Sequence, residues 1–340
     1  MNRLAIIVIT WNNDEDSIEC LESLSHQEGV DHLTLLSIDN NSGDDSVAQI
    51  KRCAETHKDV DIQFIQTGEN GGTAGGFNAG ISWAIEHEYE FIGTLNADAI
   101  ADKLWAKSLV EQLTSHPESG LATCLLLHRD GKTIDTSGDF YTTWGIPGPR
   151  LRDAPREDAP STPGYVFGST GGGFIARTDM FKEIGMFDQA FFMYYEDVDI
   201  AFRAQLRGFK TRFTPHAIAY HKLGASSKTV PGLAIYNTFK NIPVLFVKNV
   251  PLGLWLRMYP RFVLSYFLIL GNAIARGRGG PALKGFGKSI LLIPHMFSER
   301  WRIQKARTVS DEYIDSILLH DIPPEQTGLR KFRQFFTGKA

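Results

Sequence analysis

Four short stretches carry residue types that can do chemistry. Glu196-Asp197-Val198-Asp199 is the densest acidic cluster and follows an aromatic run, Phe191 to Tyr195. A carboxylate at a helix N-terminus is stabilised in its charged form, and beside a hydroxyl it can act as a general base. Arg203, four residues after Asp199, is expected to pair with it in a structural role. Asn96-Ala97-Asp98 closes an apolar segment. A carboxylate there suits a hard cation whose other ligands are phosphate oxygens and water. It equally suits a helix N-cap. His221 also closes an apolar segment, and it becomes a metal ligand only if folding brings it to Asp98. Asn70 to Gly76 is glycine-rich but lacks Gly-x-Gly-x-x-Gly spacing and a following Lys, which excludes the dinucleotide fingerprint and the P-loop. Its backbone N–H groups could cradle an anion at a helix start, with a plain turn as the alternative.

These stretches need elements to position them. Leu4–Thr10 reads as a buried parallel strand, and Leu33–Asp39, Ile62–Gln66 and Phe91–Leu95 read as further strands. Asp14–Gln27, Ser46–Thr56 and Asn78–Glu86 read as the helices between them. Alternation of this kind implies βαβ units and a mostly parallel α/β sheet. Polar clusters follow each strand: Thr10–Asn12, Asp39–Ser42, Gly68–Gly76 and Asn96–Asp98. Ligands bind beyond the carboxyl ends of such strands, so four clusters on one edge predict one shared site. Residues 129–164 hold five prolines and are expected to form a long irregular binding loop. Phe174–Arg177 reads as a strand, Glu196–Arg207 as a helix ended by Gly208, and Phe209–Thr214 as a strand closed by Pro215.

The 340 residues carry a formal charge of −4, which argues against a nucleic-acid binder. The sum hides a split: residues 241–340 hold 15 Lys/Arg and six Asp/Glu, a net +9 against −13 for the rest. Such asymmetry points to an anionic partner at one end. Cys20, Cys53 and Cys124 are widely spaced, which suits a reducing compartment and neither a disulfide framework nor a thiolate zinc site. Leu4 to Ile9 is too short for a signal h-region. Phe262–Ala275 is a 14-residue apolar run, shorter than a bilayer span, inside a stretch (248–307) with 11 Lys/Arg and one acid, Glu299. Helices lying in the interface of an anionic membrane are expected there, with a helical hairpin packed on the body as the alternative.

The ordered set of motifs resembles family 2 glycosyltransferases of the GT-A fold, in the bacterial branch that includes rhamnosyltransferases of cell-surface polysaccharide assembly. The resemblance runs through Thr10-Trp11-Asn12, Asp39-Asn40-Asn41-Ser42, Asn70 to Gly80, Asn96-Ala97-Asp98-Ala99, Gly172 to Arg177, Gly185 to Asp188, Glu196 to Asp199 and His221. It covers about residues 4–226. Asn96 stands where the family's usual motif has its first Asp, and Tyr220-His221-Lys222 where it often has paired histidines.

The resemblance implies a GT-A catalytic domain over 1–228, with a nucleotide-binding half (1–105) and an acceptor-binding half (106–228), then a basic, apolar helical region over 229–340. It implies an inverting transfer from a nucleotide-diphosphate sugar, dTDP-rhamnose first, with UDP-galactofuranose or a UDP-N-acetylhexosamine as alternatives. Thr10, Trp11 and Asn12 would frame the base, and Asp39 would contact base or ribose. Asn41, Gly72, Gly75, Asn78, Asn96, Ala97 and Gly172 fall in the nucleotide-sugar motifs. Asp98 and His221 would ligate Mg²⁺ or Mn²⁺. Asp197 would be the base, and Glu196 would bind the acceptor, with Trp144 a sugar-stacking residue there. The acceptor would be a glycan or lipid-linked sugar at the inner face of the cell membrane, reached by peripheral contact through 250–307 from the cytoplasm. A homodimer stays open. A sugar-1-phosphate nucleotidyltransferase would place a Gly-rich basic loop after the first strand, where Thr10-Trp11-Asn12 stands. An inactive glycan-binding member would not need Asp98, Asp197 and His221 together.

Overall fold

A computed structural model describes residues 3–57, 59–222 and 230–321, so the expected boundary at 228/229 lies outside the described residues. The first half alternates β1 (Arg3–Thr10), α1 (Asp14–Ser25), β2 (His32–Asp39), α2 (Ser46–Thr56), β3 (Asp61–Gln66), α3 (Gly72–Glu86) and β4 (Phe91–Leu95). The middle holds β5 (Ala99–Ala101), α4 (Trp105–Ser115), β6 (Ser119–His128), β7 (Ile134–Thr136), β8 (Asp139–Tyr141), β9 (Pro147–Pro149), β10 (Gly164–Val166) and β11 (Gly173–Arg177). Next come α5 (Thr178–Ile184), α6 (Glu196–Arg207) and β12 (Lys210–His221). Five helices finish the described chain: α7 (Leu233–Asn249), α8 (Leu252–Ala275), α9 (Gly279–Leu291), α10 (Ile293–Ala306) and α11 (Asp311–Ile317).

One sheet runs in the order β10-β12-β6-β11-β4-β1-β2-β3, with β5 on β12 and β7 on β6. The β3-β2-β1-β4 half is parallel, and β11 pairs antiparallel on both sides, with β4 and β6. Strand β1 shows why the sheet sits between two layers. Leu4, Ile6 and Val8 pack on one face with Leu21, Leu24, Trp105 and Leu109. Ala5 and Ile7 pack on the other with Phe77, Ile81 and Phe181. A strand buried on both faces reads as a continuous apolar run, which is what Leu4 to Ile9 is.

Four expectations change. Helix α3 begins at Gly72, inside the glycine run, so that run is a helix start and not a free loop. Strand β12 does not stop at Pro215; its register shifts between Phe213 and Ile218, and pairing resumes to His221. A bulge is where a strand tolerates proline. The 129–164 segment is not one irregular surface loop: it contributes β7, β8 and β9, and Ile134, Tyr141 and Ile146 are buried. The apolar run 262–275 is the end of the 24-residue helix α8, long and apolar enough by composition to cross a membrane, although 33% of its most apolar window is buried in the protein. Sequence reading also assigned nothing to α4 and β6; Ser119–His128 has no alternation because a central strand is apolar on both sides.

The C-terminal helices do not hang free. A single apolar cluster joins Tyr141, Phe191, Val198 and Phe202 of the body to Phe239, Phe246, Met258, Phe262 and Tyr266 of α7 and α8.

Candidate active site

A cavity of about 980 Å³ opens beyond the carboxyl ends of β1, β2 and β4. Trp11, Gly72, Asn96, Ala97, Asp98, Gly172, Glu196, Asp197 and His221, nine of the residues expected from sequence, line it. Thr10, Asn12, Asp39, Asn41, Gly75, Asn78 and Trp144 are not on its wall, and their contacts show what each holds. Thr10 is buried and donates to Ser17 Oγ at 2.9 Å. Asn12 ties the β1 and β2 ends together, donating N–H to Ser42 Oγ at 3.0 Å and accepting from Gly43 N at 2.8 Å. The Asp39 carboxylate is buried and accepts from Ser42 N at 3.0 Å and Gln66 Nε2 at 3.3 Å. Asn41 is exposed at φ 65°. Gly75 gives its N–H to Gly71 O at 3.1 Å. Asn78 exchanges two hydrogen bonds with the Phe187 backbone, at 2.8 and 2.9 Å. Trp144 packs toward α8, where its carbonyl accepts from Ser265 Oγ at 3.1 Å.

The glycine run does not build the anion cradle. Gly71 N donates to Asn40 Oδ1 at 3.2 Å, Gly72 N to Asn70 Oδ1 at 2.9 Å and Ala74 N to Phe192 O at 3.0 Å. Glycine serves close approach instead. Gly72 sits at φ +67°, and a Cβ there would lie 2.2 Å from Phe192 O.

On one wall, His221 Nε2 lies 2.9 Å from Asp98 Oδ1 and Nδ1 lies 2.7 Å from Asp135 Oδ2. Arg152 pairs with the other Asp135 oxygen. Burial works against charge on His221, but the hydrogen bonds to Asp135 and Asp98 outweigh it and raise the imidazole to about 9. Among the described residues, no group of three or more His, Cys, Asp or Glu is arranged to hold a metal ion. The pair still suits one. A carboxylate oxygen and an imidazole nitrogen face each other, and a carboxylate on the far ring nitrogen is the usual orienter of a ligating histidine. Two protein ligands leave room for diphosphate oxygens and water.

Glu196 and Asp197, the first residues of α6, line the same cavity. Burial raises the Asp197 carboxyl above its ordinary value, while N–H groups of Gly171 (2.7 Å) and Val198 (2.8 Å) pull it back. Glu196 is raised well above its ordinary value by burial and then by the Asp197 charge, and its Oε2 has no partner among the described residues. The turn at 170–172 connects α6 to the 96–98 segment: Gly171 N meets Asp197, and Gly172 O accepts from Asn96 N at 3.1 Å.

Sequence reasoning missed Asn40, Asp135, Asp139 and Arg152, all on the cavity wall. Asn40 was one of two adjacent asparagines, and only the backbone shows which faces inward. The other three sit in the segment read as irregular, where spacing gave no signal.

The open α/β sheet gathers Asp98, His221, Glu196 and Asp197 at one cavity beyond its carboxyl edge, and the fold is of the GT-A class. The chain belongs to glycosyl transferase family 2, whose pattern matches residues 5–185. The low-salt glycan biosynthesis hexosyltransferase Agl10 of Haloferax volcanii is 25% identical over 213 residues, which are 60% of this chain and 62% of that protein. The match thus spans less than two thirds of that relative's length. Among solved structures, the mannosyltransferase PcManGT from Pyrobaculum calidifontis in complex with GDP-Man and Mn²⁺ matches with a TM-score of 0.55 and 16% identity, covering 89% of this chain and 85% of that one. S. aureus TarS 1-349 in complex with UDP-GlcNAc matches with a TM-score of 0.58 and 17% identity, covering 98% and 92%. At these identities the likeness shows the GT-A fold.

Proposed function

We propose that the chain is a metal-dependent, inverting glycosyltransferase that moves a sugar from a nucleotide-diphosphate donor to a hydroxyl of a glycan or lipid-linked acceptor. One observation carries the reading: the Asp98–His221 pair and the Glu196–Asp197 pair line one cavity. A sugar nucleotide leaves as a diphosphate, so transfer needs charge neutralisation there and a base at the acceptor. When bound, Mg²⁺ or Mn²⁺ supplies that neutralisation, and Asp98 Oδ1 and His221 Nε2 would hold it. Asp197 takes the proton of the acceptor hydroxyl. The freed oxygen bonds to the anomeric carbon as the bond from that carbon to the phosphate oxygen breaks, and nucleoside diphosphate leaves. A single displacement with one base inverts the centre. Glu196, a cavity residue whose buried Oε2 has no partner among the described residues, is assigned to binding an acceptor hydroxyl.

The branch resemblance puts dTDP-rhamnose first as donor. UDP-galactofuranose and UDP-N-acetylhexosamines are the alternatives, and the UDP-GlcNAc and GDP-Man of the structural neighbours join the screen. Exposed apolar and basic residues on α8, α9 and α10 support peripheral contact with an anionic membrane, from the cytoplasmic side, where a lipid-linked acceptor would lie. The test is nucleoside diphosphate release from each donor with Mg²⁺ or Mn²⁺ and membrane-extracted acceptor. Release from one donor, dependent on metal, is expected. No release from any donor would sink the enzyme reading.

A further inference from the structure

The loop that delivers Glu196 and Asp197 holds itself in a costly conformation. Phe192, Tyr194 and Tyr195 have φ of 63°, 67° and 68°. Bulky residues in the left-handed region are strained and persist only where surroundings impose them. The imposing group comes from α7. Asn241, fully buried, points Nδ2 at three carbonyls of this loop: Phe191 O at 3.0 Å, Met193 O at 2.9 Å and Tyr194 O at 2.7 Å. The preceding residue, Lys240, adds a bond from Nζ to Phe191 O at 3.0 Å.

We propose that Asn241 is a positioning residue for the transfer: its amide gathers the carbonyls of residues 191–194 and so fixes where α6 starts and where Asp197 points. The proposal rests on the reading of Asp197 as base. The geometry gives the chain of action. Tyr195 O accepts the first hydrogen bond of α6, from Asp199 N at 3.0 Å, and Asp197 stands between them. Its Oδ2 meets Gly171 N on a separate element at 2.7 Å, so a shift of the helix start breaks that contact. Three converging oxygens require a donor. Asparagine supplies two hydrogens at one nitrogen, and an oxygen in that place would face three carbonyls. The cost is visible, because Asn241 Oδ1 is buried without a partner among the described residues. Trp11, Asn40 and Asp98 belong to the β1, β2 and β4 ends and make none of these contacts, and the loop's bond to the glycine run, Ala74 N to Phe192 O, uses the one carbonyl of 191–194 that Asn241 does not hold, so the donor side is expected to be spared.

The test compares Asn241→Ala and the isosteric Asn241→Asp with Asp197→Asn and wild type. Three quantities are read: kcat and donor KM with the donor found by screening, UDP, GDP and dTDP binding by calorimetry, and amide hydrogen exchange over 190–198. Misplacement of a reacting group by about 1 Å can cost ~10²-fold. Both Asn241 variants are expected to lower kcat at least tenfold, keep donor KM and nucleotide affinity within about threefold, and raise exchange at 190–198. Aspartate is expected to rescue nothing, since it has the shape and no hydrogens. Wild-type kcat in either variant overturns the proposal, and so does unchanged exchange at 190–198. Equal loss of kcat and nucleotide binding also overturns it, by showing a general structural role. If Asn241→Asp does not fold, Asn241→Ser takes its place under the same criteria. Transfer that survives Asp197→Asn removes the base reading instead, and the exchange result then stands or falls alone.

Discussion

Asp197 and Glu196 are adjacent carboxyls in one buried place, and their contacts set them apart. Asp197 accepts two backbone N–H bonds, which favour its charged form; Glu196 Oε2 accepts none and is pushed further up. Asp197→Asn keeps shape and removes the base. Transfer is expected to fall by ~10²–10⁴-fold with nucleotide binding retained, read by product formation and calorimetry. Loss of nucleotide binding instead would mean that Asp197 belongs to the donor site. Because burial raises the Asp197 carboxyl, the acid-side loss of kcat is expected above the ordinary carboxylate range near ~4. The metal wall makes a second residue-scale prediction. Asp135 Oδ2 sits 2.7 Å from His221 Nδ1, so Asp135→Asn weakens Mn²⁺ binding in the presence of UDP by ~10–100-fold. Asp98→Ala removes a direct oxygen and is expected to cost at least as much. Mn²⁺ titrations indistinguishable from wild type would refute both assignments. Legibility at this scale was uneven for physical reasons. Trp11, Asp98, Glu196 and Asp197, all on the cavity wall, could be read because each follows a strand or opens a helix; His221 instead ends β12, past the proline where the strand was expected to stop. Asp39, expected at the base or ribose, shows why a carboxylate at a strand end is hard to read: it can serve a ligand or its own turn, and here it accepts from Ser42 N.

At the scale of elements, α7 does more than cover the body. Lys248, with none of its surface exposed, reaches Asp188 at 2.5 Å before the acidic helix and Asp199 at 3.0 Å within it. Arg203 completes the group at 2.9 Å from Asp199, the pairing expected from i,i+4 spacing. Burial opposes charge on both carboxyls, but Lys248 leads the interactions that overcome it and hold them below their ordinary values. Removing one partner of a buried ionic group costs ~3–5 kcal/mol because a charge is left uncompensated. Lys248→Met is therefore expected to lose that much stability at neutral pH in urea unfolding. The sign with pH follows from the direction of the shifts. Carboxyls lowered in the folded state add stability above the unfolded value near ~3.9 and lose it as pH falls. The difference between variant and wild type should then narrow below about pH 4. Equal stability of the two proteins at pH 7 would show that the buried cluster is not held by Lys248. The parallel half of the sheet was legible because β1, β2 and β4 are largely apolar and β3 partly alternates, each punctuated by turn residues. The bracing by α7 was not, since Asn241 and Lys248 are separated from the acidic helix by more than 30 residues and no local pattern reports such a contact.

At the scale of the whole molecule, the basic C-terminal charge divides into two groups. Lys248 and Arg300 are spent inside the fold, Arg300 donating to Val247 O and Val250 O, both at 2.7 Å. Arg276, Arg278, Lys284 and Lys288 are exposed. Beside them α8 carries Leu252 (68% exposed), Leu256 (74%) and Phe267 (51%), and α10 carries Ile293, Phe297 and Trp301 at i,i+4 spacing. An apolar stripe with flanking cations is the pattern of a helix lying in a membrane interface. Each apolar side chain is worth ~1.5–3 kcal/mol when buried and each surface cation ~1 kcal/mol near anionic lipid. Deleting everything after the sheet would not test this, because α7 holds the loop that carries Asp197. The sound variant keeps the chain whole: Leu256→Asp with Phe267→Asp and Trp301→Asp. Wild type is expected to sediment with phosphatidylglycerol vesicles and less with phosphatidylcholine, and raised salt should weaken the former. The triple variant should lose vesicle binding at least tenfold while UDP or dTDP affinity stays unchanged. Unchanged sedimentation of the triple variant would place membrane contact elsewhere. Binding that ignores both lipid charge and salt would remove the role of Arg276, Arg278, Lys284 and Lys288. The two outcomes separate the apolar stripe from the charge, which net charge alone, at −4 for the chain, conceals.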